Sequence, residues 1–441
     1  MTPSRGDVSF AEATRVFARI GLLSFGGPAG QIALMHRILV DERRWLDEKR
    51  FLHALNYCML LPGPEAMQLA TYAGWLLHGV RGGLVAGLLF VLPGAAVITL
   101  LSALYFYLGG VPVIAGVLFG LKAAVLAVVL EALVRVSKRA LKSRAMVVIA
   151  VLAFIGIAFL KLPFPLVVGL AALAGALFPA LAEDGKQGAD TEGADNAMVM
   201  PEWTRPSFSR FAWTLIVWLA IWFVPMIALV AALGSAHVLS TEAVFFSKMA
   251  TVTFGGAYAV LAYVAQQAVD VYGWLRPDEM LTGLGLAETT PGPLILVLVF
   301  VGFLGGARFS GIDPLLGGLS GALVTLWFTF VPCFLWIFVG APYVEVVRNV
   351  RWLTSALATV TAAVVGVIAN LAAWFSLHVL FSSVGEKAFG PFVAPAPDVA
   401  TFDPVAALIA IVAAIALLRF HANLIAVLGA AAVAGMIWTI V

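Results

Sequence analysis

The sequence predicts an all-α polytopic membrane protein made of two inverted-topology repeats with broken, re-entrant helices. Three observations carry this. Of 441 residues, 62% are hydrophobic and 11% charged, with a mean hydropathy of +1.03, against roughly 45–50% apolar and about 25% charged in an ordinary soluble domain. Gly and Pro interrupt the apolar runs at 26–28, 62–64, 255–256 and 291–293. Those interruptions recur at one constant spacing. Since a transmembrane helix takes about 20 apolar residues, there is room for on the order of ten spans and no sizeable soluble domain.

Residues 1–10 hold no apolar run, so no cleavable signal peptide is expected and the N-terminus is expected in the cytoplasm. Residues 17–39 read as a long helix broken at Gly26-Gly27-Pro28. After a charged stretch at 36–50, two arms at 51–61 and 65–77 flank Pro62-Gly63-Pro64. At 1.5 Å per residue each arm measures roughly 15 to 20 Å, about half a bilayer. Runs at 83–108, 111–134, 145–160 and 163–181 read as full spans. The stretch 183–210, rich in Asp, Glu, Gly, Pro, Ser and Thr, buries too little apolar surface to order itself. It reads as a polar, acidic linker between an N-terminal repeat (1–182) and a C-terminal repeat (211–441). The second repeat runs through 211–233, 245–264 broken at Gly255-Gly256, 280–290 ending at Pro291-Gly292-Pro293, 294–307, 315–340, 352–380, 402–418 and 424–441.

The repeat is legible residue by residue. Phe17, Phe25-Gly26-Gly27, Val40-Asp41, Trp45-Leu46 and Pro62-Gly63-Pro64 return as Phe246, Phe254-Gly255-Gly256, Val269-Asp270, Trp274-Leu275 and Pro291-Gly292-Pro293, each 229 positions later (246 minus 17). Arg19 is answered by Lys248 and Ser24 by Thr253. One insertion of ten residues then brings Pro93 onto Pro332 (332 minus 93 is 239) and Lys122 onto Thr361. A chance match of apolar sequences reproduces Leu and Val; this one reproduces Gly, Pro and Trp.

Orientation follows from Lys and Arg, which gather in cytoplasmic loops. Arg37, Arg43, Arg44, Lys49 and Arg50 mark one loop, and Arg135, Lys138, Arg139, Lys142 and Arg144 another. The matching second-half loops carry Arg276 alone and, around 374–383, nothing, whereas uncharged 109–112 is matched by Arg348 and Arg351. The halves are therefore expected to be inverted. Parity then makes the broken segments dip in and return, giving about nine crossings and four re-entrant hairpins. Arg308 sits on the wrong side of that pattern and is expected to serve a local role.

Irregular backbone at membrane depth survives only where protein or a water-filled cavity satisfies it, and inverted-repeat transporters bind substrate at such breaks. Helices starting after Pro64 and Pro293 would point free N–H groups and a positive dipole end at the break, a preference for anions. Arg19 and Lys248 suit a dianion if they face the site; a basic side chain near a helix entrance equally well snorkels to the interface. Ser24, Thr253, Thr289, Thr290 and Gln68 offer donors beside Gly26, Gly27, Gly63, Gly255, Gly256 and Gly292, although membrane Ser and Thr commonly bond their own backbone. Glu65 and Glu288 flank the two Pro-Gly-Pro motifs, one after and one before. A carboxylate there repels an anion unless protonated, which would couple proton and anion movement. Lys122 is a mid-span charge, and Glu131 is expected to snorkel or pair with Arg135. Cys58 and Cys333 read as packing residues, and the scattered histidines as interfacial. With no Gly-x-Ser-x-Gly, His-Glu-x-x-His or P-loop, no enzyme, metal site or cofactor is expected, and the near-balance of charge gives no reason to expect nucleic acid.

Ser24-Phe25-Gly26-Gly27-Pro28, Leu61-Pro62-Gly63-Pro64-Glu65-Ala66 with Gln68-Leu69-Ala70, Thr253-Phe254-Gly255-Gly256-Ala257-Tyr258, and Ala287-Glu288-Thr289-Thr290-Pro291-Gly292-Pro293-Leu294 resemble the chromate ion transporter family in its long form, with two homologous halves in one chain. The resemblance covers nearly the whole chain. It implies efflux of chromate across the bacterial inner membrane, giving chromate resistance, driven by the proton gradient. Sulfate has almost the same shape and charge, so a sulfate transporter stays open, as do an anion channel and a homodimeric assembly in the bilayer.

Overall fold

The computed structural model describes residues 8–181, 203, 206–254, 256–343 and 351–440. Most of 183–210, where a linker is expected, and Gly255 and Arg348 lie outside the described residues. In the first half, α1 (Phe10–Leu23) and α2 (Gly27–His36) are separated at Ser24-Phe25-Gly26, and α2 runs on as a π-helical turn over Arg37–Glu42. Next come α3 (Glu48–Cys58) and α4 (Glu65–Leu108), on either side of the Pro-Gly-Pro break, then α5 (Pro112–Ala140), α6 (Arg144–Ala158) and α7 (Phe164–Leu177). Inside α4, His78 and Gly79 leave helical geometry, so its first arm ends there. Ser9 and Asp47 accept hydrogen bonds from Glu12 N and Arg50 N, capping α1 and α3 at the expected polar residues.

The second half comprises α8 (Phe208–Leu233), α9 (Val238–Val252), α10 (Ala257–Ala265), α11 (Pro277–Thr289), α12 (Val297–Phe309), α13 (Pro314–Gly340), α14 (Arg351–Leu380), α15 (Pro404–Leu418) and α16 (Leu424–Ile440). A second π-helical turn, Gln266–Val271, follows α10 at the same 229-residue offset from Arg37–Glu42 (266 minus 37). Backbone geometry repeats with it. Gly27, Arg44 and Gly63 have φ of 72°, 54° and 117°, and Gly256, Gly273 and Gly292 have 95°, 63° and 93°. Lys161 and His421, the turns after α6 and α15, share φ of 53° and 49°.

Among the described residues five helices are long and apolar enough to cross a membrane: Glu65–Leu108, Pro112–Ala140, Phe208–Leu233, Pro314–Tyr343 and Trp352–Leu380. The segments α6, α7, α15 and α16 are apolar but shorter. Their packing is exchanged between halves: α6 and α7 lie along α14, while α15 and α16 lie along α5. Small residues permit this. A Cβ on Gly120 would collide with the Ala431 carbonyl oxygen, and one on Gly366 with that of Ala150. Within each half α1 packs on α4 and α9 on α13, and α4 meets α13 across the centre.

The broken arms return to where they started. Arg43, past α2, pairs with Glu12 at the start of α1 at 3.0 Å. Arg308, at the end of α12, grips Glu279 at the start of α11 with contacts of 2.6 and 2.8 Å. Arg308 also donates to the Trp274 carbonyl, so the arginine that defies the charge pattern anchors a hairpin. Glu279 is 1% exposed, and Tyr105 and Arg276 reach the same carboxylate.

Among the described residues one element departs from an all-α fold. Val384–Phe389 and Phe392–Pro397 form an antiparallel hairpin, tied to the α6–α7 turn by Lys161–Glu386 at 2.7 Å and by Val393 N–H to the Phe159 carbonyl. Helix is barred there by Pro391, Pro395 and Pro397, and the two-residue loop opens on Gly390 at φ 61°.

Candidate functional site

The four breaks meet in crossed pairs. Gly63 N–H donates to the Thr253 carbonyl at 2.8 Å, and Gly292 N–H donates to the Ser24 carbonyl at 2.8 Å. Each Pro-Gly-Pro corner therefore docks on the Phe-Gly-Gly corner of the other half, the two bonds being equivalent under the 229-residue offset (292 minus 63, 253 minus 24). The packing behind them is reciprocal too. A Cβ on Gly94 would strike the Pro291 carbonyl oxygen, while Cys333, the position matching Gly94, lies against Gly63, where a Cβ would fall 2.8 Å from its Sγ. Positive φ at Gly63 and Gly292 lets the chain turn there.

Two buried glutamines complete the crossing. Gln31 donates from Nε2 to the Gly292 carbonyl at 2.6 Å, and Gln68 donates from Nε2 to the Pro62 carbonyl at 2.7 Å. Each leaves its Oε1 buried without a hydrogen-bond partner. Sequence reasoning reached Gln68 but not Gln31, whose only signal was a polar residue on a half-length arm with Val260 as its repeat partner.

Beside the first Phe-Gly-Gly corner lies a cavity of about 200 Å³ lined by Gly26, Gly27, Pro28, Glu131, Arg135, Tyr258, Glu288 and His421, with apolar walls. At about 30 Å³ per water, that volume admits a small hydrated ion. The N-terminus of α2 opens on it at Gly26-Gly27, supplying free N–H groups and the positive dipole end. Tyr258 donates a short hydrogen bond to Glu288 Oε1, and Arg135 pairs with Glu131 at 2.9 Å on successive turns of α5. The cavity thus combines main-chain donors, a phenol, the Glu288 carboxyl and the Glu131–Arg135 ion pair. Tyr258 and Arg135 were not singled out for the site from sequence: Tyr258 follows the Gly255-Gly256 break but serves the cavity of the other half, and Arg135 stands at no break.

Across the fold, Glu65 Oε1 approaches the other Phe-Gly-Gly corner, 3.8 Å from where a Cβ on Gly256 would sit. Each carboxyl beside a Pro-Gly-Pro motif thus neighbours the Phe-Gly-Gly break of the opposite half. Pro62, Pro64, Pro291 and Pro293 hold the corners. Of the expected donors, Ser24, Thr253, Thr289 and Thr290 spend their hydroxyl protons on the carbonyls of Ile20, Met249, Leu286 and Ala287. A hydroxyl has one proton, so these side chains offer an anion none in this conformation.

Arg19 and Lys248 are exposed. The α1 face buried against α4 carries Val16, Phe17 and Ile20, and Arg19, two residues after Phe17, lies on the opposite side. The lining of the Glu288 cavity includes neither cation. Lys122 reaches outward to Asp278 at 3.8 Å, and Cys58 and Cys333 are buried thiols.

A larger cavity of about 350 Å³ lies under the β-hairpin, lined by Lys161, Gln266, Asp270, Asn370, Trp374, His378 and Glu386 among others. Asn370 and Trp374 are the repeat partners of Glu131 and Arg135 (370 minus 131 and 374 minus 135 are both 239). The two cavities therefore occupy corresponding places in the two halves.

Comparison with known proteins agrees with the motifs. The sequence model described as "Chromate transporter" matches residues 11–176 and 241–436. A "Chromate transport protein" of Pseudomonas aeruginosa is 34% identical over 369 residues, covering 82% of this chain and 80% of that protein. Another of the same description from Cupriavidus metallidurans is 26% identical over 355 residues, with coverage of 80% and 79%. An uncharacterized transporter of Bacillus subtilis matches with 31% identity over 157 residues, 35% of this chain but 79% of its own length. No solved structure matches.

Proposed function

The chain belongs to the chromate transporter family, and from that premise we propose that it exports chromate from the bacterial cytoplasm across the inner membrane in exchange for protons. The observation that carries this reading is the Glu288 cavity, where a helix N-terminus and Arg135 face a protonatable carboxyl. Chromate is a tetrahedral dianion. Main-chain N–H groups at Gly26-Gly27 and the Arg135 guanidinium N–H groups that Glu131 leaves unused are the donors suited to its oxygens, Arg135 offsetting the Glu131 charge, and the Glu288 carboxyl tolerates it only when neutral. Glu65 stands in the corresponding relation to Gly256.

The reading also takes the two halves as inverted, with the N-terminus cytoplasmic, nine crossings and four hairpins that dip to mid-membrane. Returning arms held by Arg43–Glu12 and Arg308–Glu279 support the hairpins, and the basic loops at 37–50 and 135–144 support the orientation. The Arg135 cavity then opens toward the cytoplasm and the hairpin-covered cavity toward the opposite side, the two ends of an alternating pathway.

Competition tests the substrate class. In inverted membrane vesicles containing the full chain, excess sulfate should suppress chromate uptake strongly, and perchlorate, a tetrahedral monoanion, at least tenfold less. Equal suppression by perchlorate would mean that the site does not read a double charge, and the dianion assignment would fall.

A further inference from the structure

Glu242 lies on α9, one turn into the helix and fully buried, and neither of its carboxyl oxygens has a hydrogen-bond partner. Its position in the first half is Ala13 (242 minus 229), so the acid belongs to one repeat alone. The carboxyl is wedged where α12 and α13 approach through glycines: a Cβ on Gly305 would fall 2.6 Å from Oε1 and one on Gly321 3.1 Å from Oε2.

The surroundings hold more unpartnered polar atoms. Ser310 Oγ, Thr325 Oγ1 and Thr329 Oγ1 are buried and without partners. They follow the ridge of α13 in steps of four residues: Gly317 lies against Ser310 Oγ, Gly321 against Glu242, Thr325 is wedged on Gly302, Thr329 accepts from Cys333 at its carbonyl, and Cys333 Sγ lies against Gly63 beside Gln68. Gln68 Oε1 at the end of the row is again unpartnered. From Gly317 to Cys333 is 16 residues (333 minus 317), about 24 Å at 1.5 Å per residue. Native interiors leave few polar atoms unsatisfied, and a row of them leading from the outer end of α12 to a broken helix calls for a role.

We propose that Glu242 is a proton-binding site and that the Thr325–Thr329–Gln68 row carries its proton to Glu65 at the central crossing, with Ser310 on the outer side of Glu242 where the proton arrives. This rests on the proton-exchange reading above and names the route. A carboxylate this deeply buried and unpaired is too costly to stay ionised; among the described residues no cation bonds it, Arg308 being held by Glu279. The segments α10 and α13 contain no Lys, Arg, Asp or Glu, and α8 has only Arg210, two residues past its start. The titratable neighbours are His237 earlier in the chain, bonded to the Ser310 carbonyl, and the Arg308–Glu279 pair, whose arginine bonds the Trp274 carbonyl. Hydroxyls both donate and accept, so Thr325 and Thr329 pass a proton on through water bridging the steps of about 6 Å between them. The proton leaves the Glu242 carboxyl and ends on the Glu65 carboxylate; one O–H bond breaks, one forms, and no electron moves.

Infrared difference spectra of the purified full chain in lipid, recorded across a pH step, test the site without requiring transport. A protonated-carboxyl band that shifts in D₂O should appear for wild type and vanish in Glu242→Gln. Thr325→Val, nearly isosteric and removing only an unpartnered hydroxyl, should fold normally and slow pH-driven chromate flux about tenfold at unchanged half-saturation. An infrared band untouched by Glu242→Gln, or a wild-type rate in Thr325→Val, overturns the proposal. So does flux that requires sodium at fixed pH and loses that requirement in Glu242→Gln. If wild type moves no oxyanion, the transport reading fails by itself, and the infrared band still decides whether Glu242 binds a proton.

Discussion

Gly292→Ala and Gly63→Ala should each cripple the transporter, cutting chromate flux more than tenfold and lowering the melting temperature of the purified protein. Both positions have φ near +100°, at 93° and 117°, where an L side chain costs about 1–3 kcal/mol. The added methyl also lacks room. At Gly63 it would sit 2.8 Å from Cys333 Sγ and 2.9 Å from Gln68 Nε2, and at Gly292 3.0 Å from a Leu296 methyl and 3.3 Å from the Phe90 carbonyl oxygen. Overpacking of this kind adds about 1–3 kcal/mol. The two sites hold equivalent crossings, so their effects should be of similar size, with Gly63 the more severe for its tighter contacts. Gly234→Ala serves as control: Gly234 also has positive φ, at 87°, but no atom lies within 4 Å of a Cβ there. It should lose stability from backbone strain and keep its flux per folded molecule. Equal flux in Gly63→Ala and wild type would show that the crossed docking is dispensable.

Glu288→Gln should remove the pH dependence of chromate binding. As pH rises and Glu288 loses its proton, its charge faces the same cavity as the dianion, so wild-type affinity falls. The amide cannot ionise, and the variant should hold the low-pH affinity throughout. Tenfold weakening between the ends of the wild-type profile corresponds to about 1.4 kcal/mol of repulsion, modest for two charges within one cavity. Half-saturation measured against pH in vesicles reads this directly. A wild-type slope in Glu288→Gln would take the carboxyl out of the coupling.

Most of the architecture was legible because membrane depth makes backbone interruptions costly. Phe-Gly-Gly and Pro-Gly-Pro are conspicuous inside apolar runs, and their 229-residue spacing carried over to the π-turns and positive-φ positions of the folded chain. The run 163–181 was drawn longer from its composition than the helix Phe164–Leu177 that forms there. The β-hairpin was missed because it follows the last residue of a long apolar helix, where hydropathy carries no further signal.

The site was legible only in part. Glu65, Glu288 and Gln68 stand next to the breaks in sequence and stay there in space. Gln31, Tyr258, Arg135 and Glu242 make their contacts across halves or across helices, and a one-dimensional reading cannot see which residues an exchanged packing brings together. For Arg19 and Lys248 the sequence left a site-facing and an interfacial reading open. They stand in equivalent places beside the breaks, but three or four residues decide a helical face, and both are exposed.

The exchange of chromate for protons is tested most directly by sealed proteoliposomes of the purified chain, loaded with chromate and placed in more acidic medium. Chromate should leave at least ten times faster than with no gradient, and the lumen should acidify in step with its departure. Outflow that continues unchanged after a protonophore collapses the gradient, with no proton entering, would contradict the account.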